Sequence, residues 1–145
     1  MKTHRVITII GWLVSGILLF LWQEKYLPFH YEYIEQFRLF HYSADYFIEH
    51  CSYPSGIIEY LGSFLIQFFN QPHVGAGIVT ILLLFVGIGI QQIFKRIASH
   101  VDMPLAYLLP TLFLLFAGMD INYHLEGTLA FALSVWFLNI QVSFV

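Results

Sequence analysis

Charge is what this sequence has least of. Only 10% of its 145 residues are Asp, Glu, Lys or Arg, while 59% are hydrophobic. Ordinary soluble domains carry about 25% charged and roughly 45–50% apolar residues. That deficit excludes a normal water-soluble surface. Six basic residues stand against nine acidic ones, a net charge of −3, so the basic patch needed for nucleic-acid binding is missing. Cysteine is nearly absent too: Cys51 is the one thiol. It cannot close an internal disulfide, and no cysteine pair with metal-site spacing exists. With no basic neighbour to activate it, Cys51 reads as a small buried or interfacial residue. Phosphate loops, HExxH and nucleophile motifs are all missing, and nothing in the chain asks for a cofactor.

What is present is a set of long apolar runs. Residues 6–22 carry no charge and follow Lys2 and Arg5. As a helix they reach about 26 Å, just short of the ~30 Å hydrocarbon core, and Gln23 can extend them. The run exceeds a signal-peptide core and lacks a small-residue cleavage site at Trp22–Lys25, so a retained anchor is expected. Residues 74–94 are uncharged and end at Lys95 and Arg96. Gly75, Gly77, Gly87 and Gly89 within them let neighbouring helix backbones approach closely. Residues 103–119 lie between Asp102 and Asp120, with Pro104 in the first turn and Pro110 expected to kink the helix. Residues 127–145 form the fourth run. Its Ser134, Asn139, Gln141 and Ser143 are expected to face other helices.

The fold class that follows is all-α: a polytopic membrane protein with four spans. Lys2, Arg5, Lys95 and Arg96 put both termini on the cytoplasmic side of an inner membrane. Only Lys25 and Arg38 then fall outside, in the long first loop, residues 23–73. The absence of a polar or basic flank after Val145 suggests the N-terminal part of a longer protein.

That first loop is not plain linker. It holds six of the nine acidic residues and four of the seven histidines. Residues 57–69 are too short to span, and Glu59 near the centre of a span would cost roughly 2.5–3.5 kcal/mol. They are expected to lie in the membrane interface, with Ile57, Ile58, Leu61, Phe64, Leu65 and Phe68 towards lipid. Glu59, Ser63 and Gln67 would then face the other way. The turn at Pro54-Ser55-Gly56 starts this amphipathic helix and Asn70-Gln71-Pro72 ends it. Residues 31–40 also show helical spacing, with Glu35 placed to pair with Arg38 three residues on. Residues 42–50 form a further short helix capped by Ser43. Seven of the nine tyrosines sit in this loop, as an aromatic belt requires.

The loops also carry the candidate chemistry. His41, Asp45 and Glu49 are spaced by four and share a face if their helix is continuous. Asp120 and His124 repeat the spacing in the second outer loop, beside Glu126. Carboxylates and imidazoles converging there suit a divalent cation or a general base. The plainer reading is that they solvate the wet side of interfacial helices. No charged residue lies deep within the runs, which argues against an internal ion or proton path. The expected partners are the lipid bilayer and further transmembrane helices of the same or another chain.

The segment Glu35-Gln36-Phe37-Arg38-Leu39-Phe40, then Asp45-Tyr46-Phe47, Pro54-Ser55-Gly56, residues 60–69 and Gly75-Ala76-Gly77 resembles the N-terminal region of an uncharacterised family of multi-span inner-membrane proteins of Bacteroides-type bacteria. The resemblance covers roughly residues 24–77 and implies a longer chain with more spans. It implies no activity. Ser55-Gly56 stands where the family is expected to have two glycines. A weaker, architectural similarity is to membrane glycosyltransferases that use lipid-linked sugars. That likeness implies a catalytic carboxylate in the first outer loop, at Asp45 or Glu35.

Overall fold

The computed structural model describes residues 2–97 and 108–144, with side chains from residue 6 onward. Among the described residues the regular structure is entirely helical. Helix α1 is Lys2–Tyr26, α2 Pro28–Gln36, α3 Ala44–Cys51 and α4 Gly56–Ile66, which runs into a 3-10 turn, Gln67–Asn70. Then come α5, Pro72–Ile97, α6, Leu108–Ala117, and α7, Leu125–Ser143. Proline opens α2 and α5, where its missing N–H costs nothing. Ser43 Oγ accepts the Tyr46 N–H at 3.2 Å and so starts α3 as a conventional N-cap.

Side-chain pairs fix the directions of the helices. Gln23 meets Thr80 and Trp12 meets Gln91, so α1 runs antiparallel to α5. Ala76 shares a core with Leu125 and Leu129, and Asn139 bonds to Gln92, so α7 runs parallel to α5. Thr111 lies against Gly87 while the Gly118 carbonyl accepts from His30 Nε2, so α6 runs antiparallel to α5. The start of α1 and the ends of α5 and α7 therefore share one end of the bundle. The α2–α4 segment and the α6–α7 turn share the other. Lys95 and Arg96 lie at the opposite end of the bundle from Asp45.

Two cores stack along the bundle. One is aliphatic: Leu83, Val86, Ile90, Leu114, Leu115, Ala132 and Val135. Here close approach matters. A Cβ on Gly87 would sit 2.5 Å from the Trp12 ring and 2.9 Å from Thr111 Oγ1. The second core, Tyr31, Ile66, Phe69, Ala76, Leu125 and Leu129, ties the α2–α4 segment to α5 and α7. The Tyr31 and Phe69 rings meet edge to face at 5.1 Å. A separate aromatic cluster joins the α2–α3 link to α3 and α4. In it Phe40 touches Tyr42, Tyr46, Tyr60 and Phe64.

Several sequence expectations change. Among the described residues three helices, not four, are long and apolar enough to cross a membrane: Val6–Tyr26, Pro72–Ile97 and Leu125–Ser143. The expected third span is represented by the ten residues of α6, and its residues 103–107, with Pro104, lie outside the described residues. Helix α4 is amphipathic in an unexpected sense. Ile57, Leu61 and Phe68 stay exposed, but Gly62, Ser63 and Ile66 are buried, and α4 packs on α7. On the face opposite the apolar stripe Ser63 is covered by protein, while Glu59 and Gln67 stay partly exposed. Along α7, Asn139 is buried, whereas Ser134 and Ser143 are exposed and bond back to their own helix. Of the two readings of Cys51, buried or interfacial, its exposure excludes the first.

Candidate functional site

The most heavily charged cluster lies at the end of the bundle that carries the α2–α4 segment. Helix α2 stops at Gln36, and the chain leaves it as an irregular link with Arg38 two residues on. The expected Glu35–Arg38 pair does not form, because the helix ends before the arginine. Only the Glu35 carbonyl is used, accepting the Arg38 N–H at 3.0 Å. The Arg38 guanidinium instead crosses to the start of α7. There its Nη1 donates to Glu126 Oε1 and its Nη2 donates to His124 Nδ1. Glu126 is only 9% exposed. It lies in the first turn of α7, where unpaired backbone N–H groups favour an anion. Glycine on α4 makes room for it: a Cβ on Gly62 would sit 2.7 Å from Glu126 Cγ. The second oxygen, Oε2, is buried without a hydrogen-bond partner among the described residues. Burying a carboxylate costs several kcal/mol unless a partner compensates, which makes Arg38 the condition for this packing.

Glu59 of α4 completes the cluster. With Arg38, His124 and Glu126 it lines a shallow cleft of about 280 Å³. Its carboxylate accepts from Ser55 Oγ at 2.7 Å and from the Tyr53 hydroxyl at 2.9 Å, and these bonds hold its pKa below the usual glutamate value. The Tyr53 phenol is correspondingly pushed up, by desolvation first and then by its bond to Glu59.

A second cleft, of about 230 Å³, adjoins the first. It shares Arg38 and His124 with the charged cleft and runs inward past Leu27, Ile34 and Leu125 to Leu83, Leu114 and Leu115. Gln23 and Tyr31 also line it. Gln23 is 0% exposed yet fully engaged: its amide donates to Thr80 Oγ1 at 2.8 Å and accepts from the Tyr31 hydroxyl at 2.5 Å. Burial pushes the Tyr31 phenol well up, which keeps it a neutral donor.

The structure disperses most of the residues singled out from the sequence. His41 precedes α3, so it does not share a helix face with Asp45 and Glu49. All three are exposed, and the His41 ring rests on Tyr46. Glu35 is half-buried on α2. Asp120 accepts the Asn122 N–H at 2.9 Å and so shapes the α6–α7 turn. His124 alone of this set joins the charged cluster. Among the described residues no group of three His, Cys, Asp or Glu side chains is placed to hold a metal ion. Sequence reasoning missed Glu126 as a central residue and Gln23 as a core one. One signal was available: Glu126 directly precedes an apolar run, and Arg38 is the one arginine in the long loop.

No curated protein and no solved structure matches this chain significantly. A family model, described as a family of unknown function (DUF6057), matches residues 3–144. Because that match spans nearly the whole bundle, the clamped α2–α4 segment included, the chain belongs to the DUF6057 family of unknown function.

Proposed function

We propose that this chain is an integral inner-membrane protein with both termini cytoplasmic, whose first outer loop is a clamped part of the bundle rather than a free linker. Its role is structural or binding, not catalytic. The observation that carries this reading is the surface of α1. From Val6 to Leu21 it presents Ile7, Ile9, Leu13, Ile17 and Leu18 outward, each more than half exposed. Water would penalise that face, at roughly 25 cal/mol per Å², and a bilayer would not. In this reading the short apolar helix α6 leads back to the α6–α7 turn, which lies at the same end of the bundle as α2–α4. The glycosyltransferase alternative would require Asp45 or Glu35 to be the catalytic carboxylate, and among the described residues neither meets a side-chain partner that would position it.

The test is topological. Alkaline extraction is expected to leave the full chain in the membrane pellet. Reporters fused near Asp45 should give a non-cytoplasmic signal, and reporters near Lys95 a cytoplasmic one. A cytoplasmic signal at Asp45 would refute the topology. If Asp45→Asn removed a cellular phenotype at unchanged protein level, a catalytic role would replace the structural one.

A further inference from the structure

The adjoining clefts have a polarity that suggests an occupant. The inner one is walled by Leu27, Ile34, Leu83, Leu114, Leu115 and Leu125, drawn from α2, α5, α6 and α7. Among the described residues no Asp or Glu lines it, and the one cationic residue is Arg38, at the rim beside His124. Polar groups at its deep end make no demand on a guest, because Gln23 and Tyr31 satisfy each other. An apolar slot with a single guanidinium at its mouth is complementary to an amphiphile with an apolar chain and an anionic head. Arg38 commits one N–H direction to Glu126 and one to His124, and a guanidinium has five donors in all. It therefore retains donors for a phosphate oxygen, the acceptor that guanidinium geometry suits.

We infer that this cleft binds one chain of an anionic phospholipid, with the headgroup phosphate on Arg38 and the acyl chain between α2, α5 and α6. This rests on the membrane reading above, since the bilayer is the source of the lipid. Binding joins Arg38 and the helices lining the slot through one guest. It also lets the phosphate share the guanidinium that otherwise compensates Glu126. The carboxylates of Glu59 and Glu126 lie in the neighbouring cleft, and they set a preference for one phosphate over a more highly charged head.

The experiment uses the full chain purified in a neutral maltoside detergent. Phosphatidylglycerol, phosphatidylcholine with the same acyl chains, and oleate are titrated in turn. Native mass spectrometry reads bound lipid, and thermal unfolding reads stabilisation. One phosphatidylglycerol per chain is expected, with phosphatidylcholine weaker by on the order of tenfold. Phe37 lines the rim and is exposed, so Phe37→Glu adds a carboxylate at the mouth without disturbing a core. It should abolish the headgroup preference, while Phe37→Gln keeps it. Equal binding of the two phospholipids, or an unaltered preference in Phe37→Glu, overturns the site. Saturable binding of oleate without phosphatidylglycerol binding overturns the phospholipid assignment. Flotation with phosphatidylcholine vesicles reads the membrane reading separately: a chain that floats with no headgroup preference keeps that reading and loses this one.

Discussion

The two cores of this bundle solve different problems. The aliphatic one, around Leu83 and Val86, sits among the long helices. In the bilayer proposed above, lipid is as apolar as these side chains, and the helices would hold together by close approach, as at Gly87, and by scattered hydrogen bonds such as Asn139 to the Gly89 carbonyl. The other core, around Tyr31 and Phe69, organises short helices and links. It relies on aromatic edges and on one buried ion pair, Arg38–Glu126, joining residues 88 apart in sequence. The lesson is that specificity is concentrated at the end where the chain is least regular. Repetitive apolar packing suffices elsewhere.

The sharpest way to break this contrast is to remove the clamp. Arg38→Met leaves Glu126 buried and uncompensated and should destabilise the fold by about 3–5 kcal/mol. It would show as a large drop in Tm in detergent. The double variant Arg38→Met with Glu126→Leu should recover most of that loss. Equal Tm values for wild type and Arg38→Met would mean that the ion pair does not hold the α2–α4 segment.

A matched pair of truncations comes next. Phe69→Ala in the aromatic core should cost about 3–5 kcal/mol, because a large cavity opens in a region partly shielded from water. Leu83→Ala should cost less in lipid, where the transfer part of the penalty is absent. Equal costs measured in bilayer nanodiscs would erase the distinction between the cores. Smaller again is the cap: Ser43→Ala should cost about 1 kcal/mol and speed hydrogen exchange in α3 alone. Asn139→Leu removes a single interhelical hydrogen-bonding group, worth about 0.6 kcal/mol on average and less than about 2 at most.

The weakest effect is a pH dependence at Glu59. Its folded pKa lies below the ordinary value, so its small contribution is complete above that value and fades as the pH falls through the lowered one. Tyr53→Phe with Ser55→Ala should move the Glu59 titration, followed by NMR, back towards the ordinary glutamate range. An unmoved titration would show that these hydroxyls do not hold the carboxylate.

Much of the architecture could be read directly from residue order. The apolar runs became α1, α5 and α7, and the Pro54–Gly56 and Asn70–Pro72 punctuation fell at helix ends. Ser43 capped α3 because an N-cap is a local device, decided within four residues. The candidate site was far less legible. Spacing by four put His41 with Asp45 and Glu49 only on the assumption of a continuous helix, and α3 begins after His41. Arg38 was assigned to its near neighbour Glu35, since sequence offers no other partner within a turn.

The sequence by itself determined the helical class, the apolar surfaces and the basic end of α5, because composition and period act locally. Only the tertiary structure decided that α4 turns its small residues to α7 and that Glu126 meets Arg38 across 88 positions. Such pairings are chosen by which surfaces can close together without stranding a charge. Gly62 leaves the space for that closure, and a glycine in a string of letters does not say what will fill it.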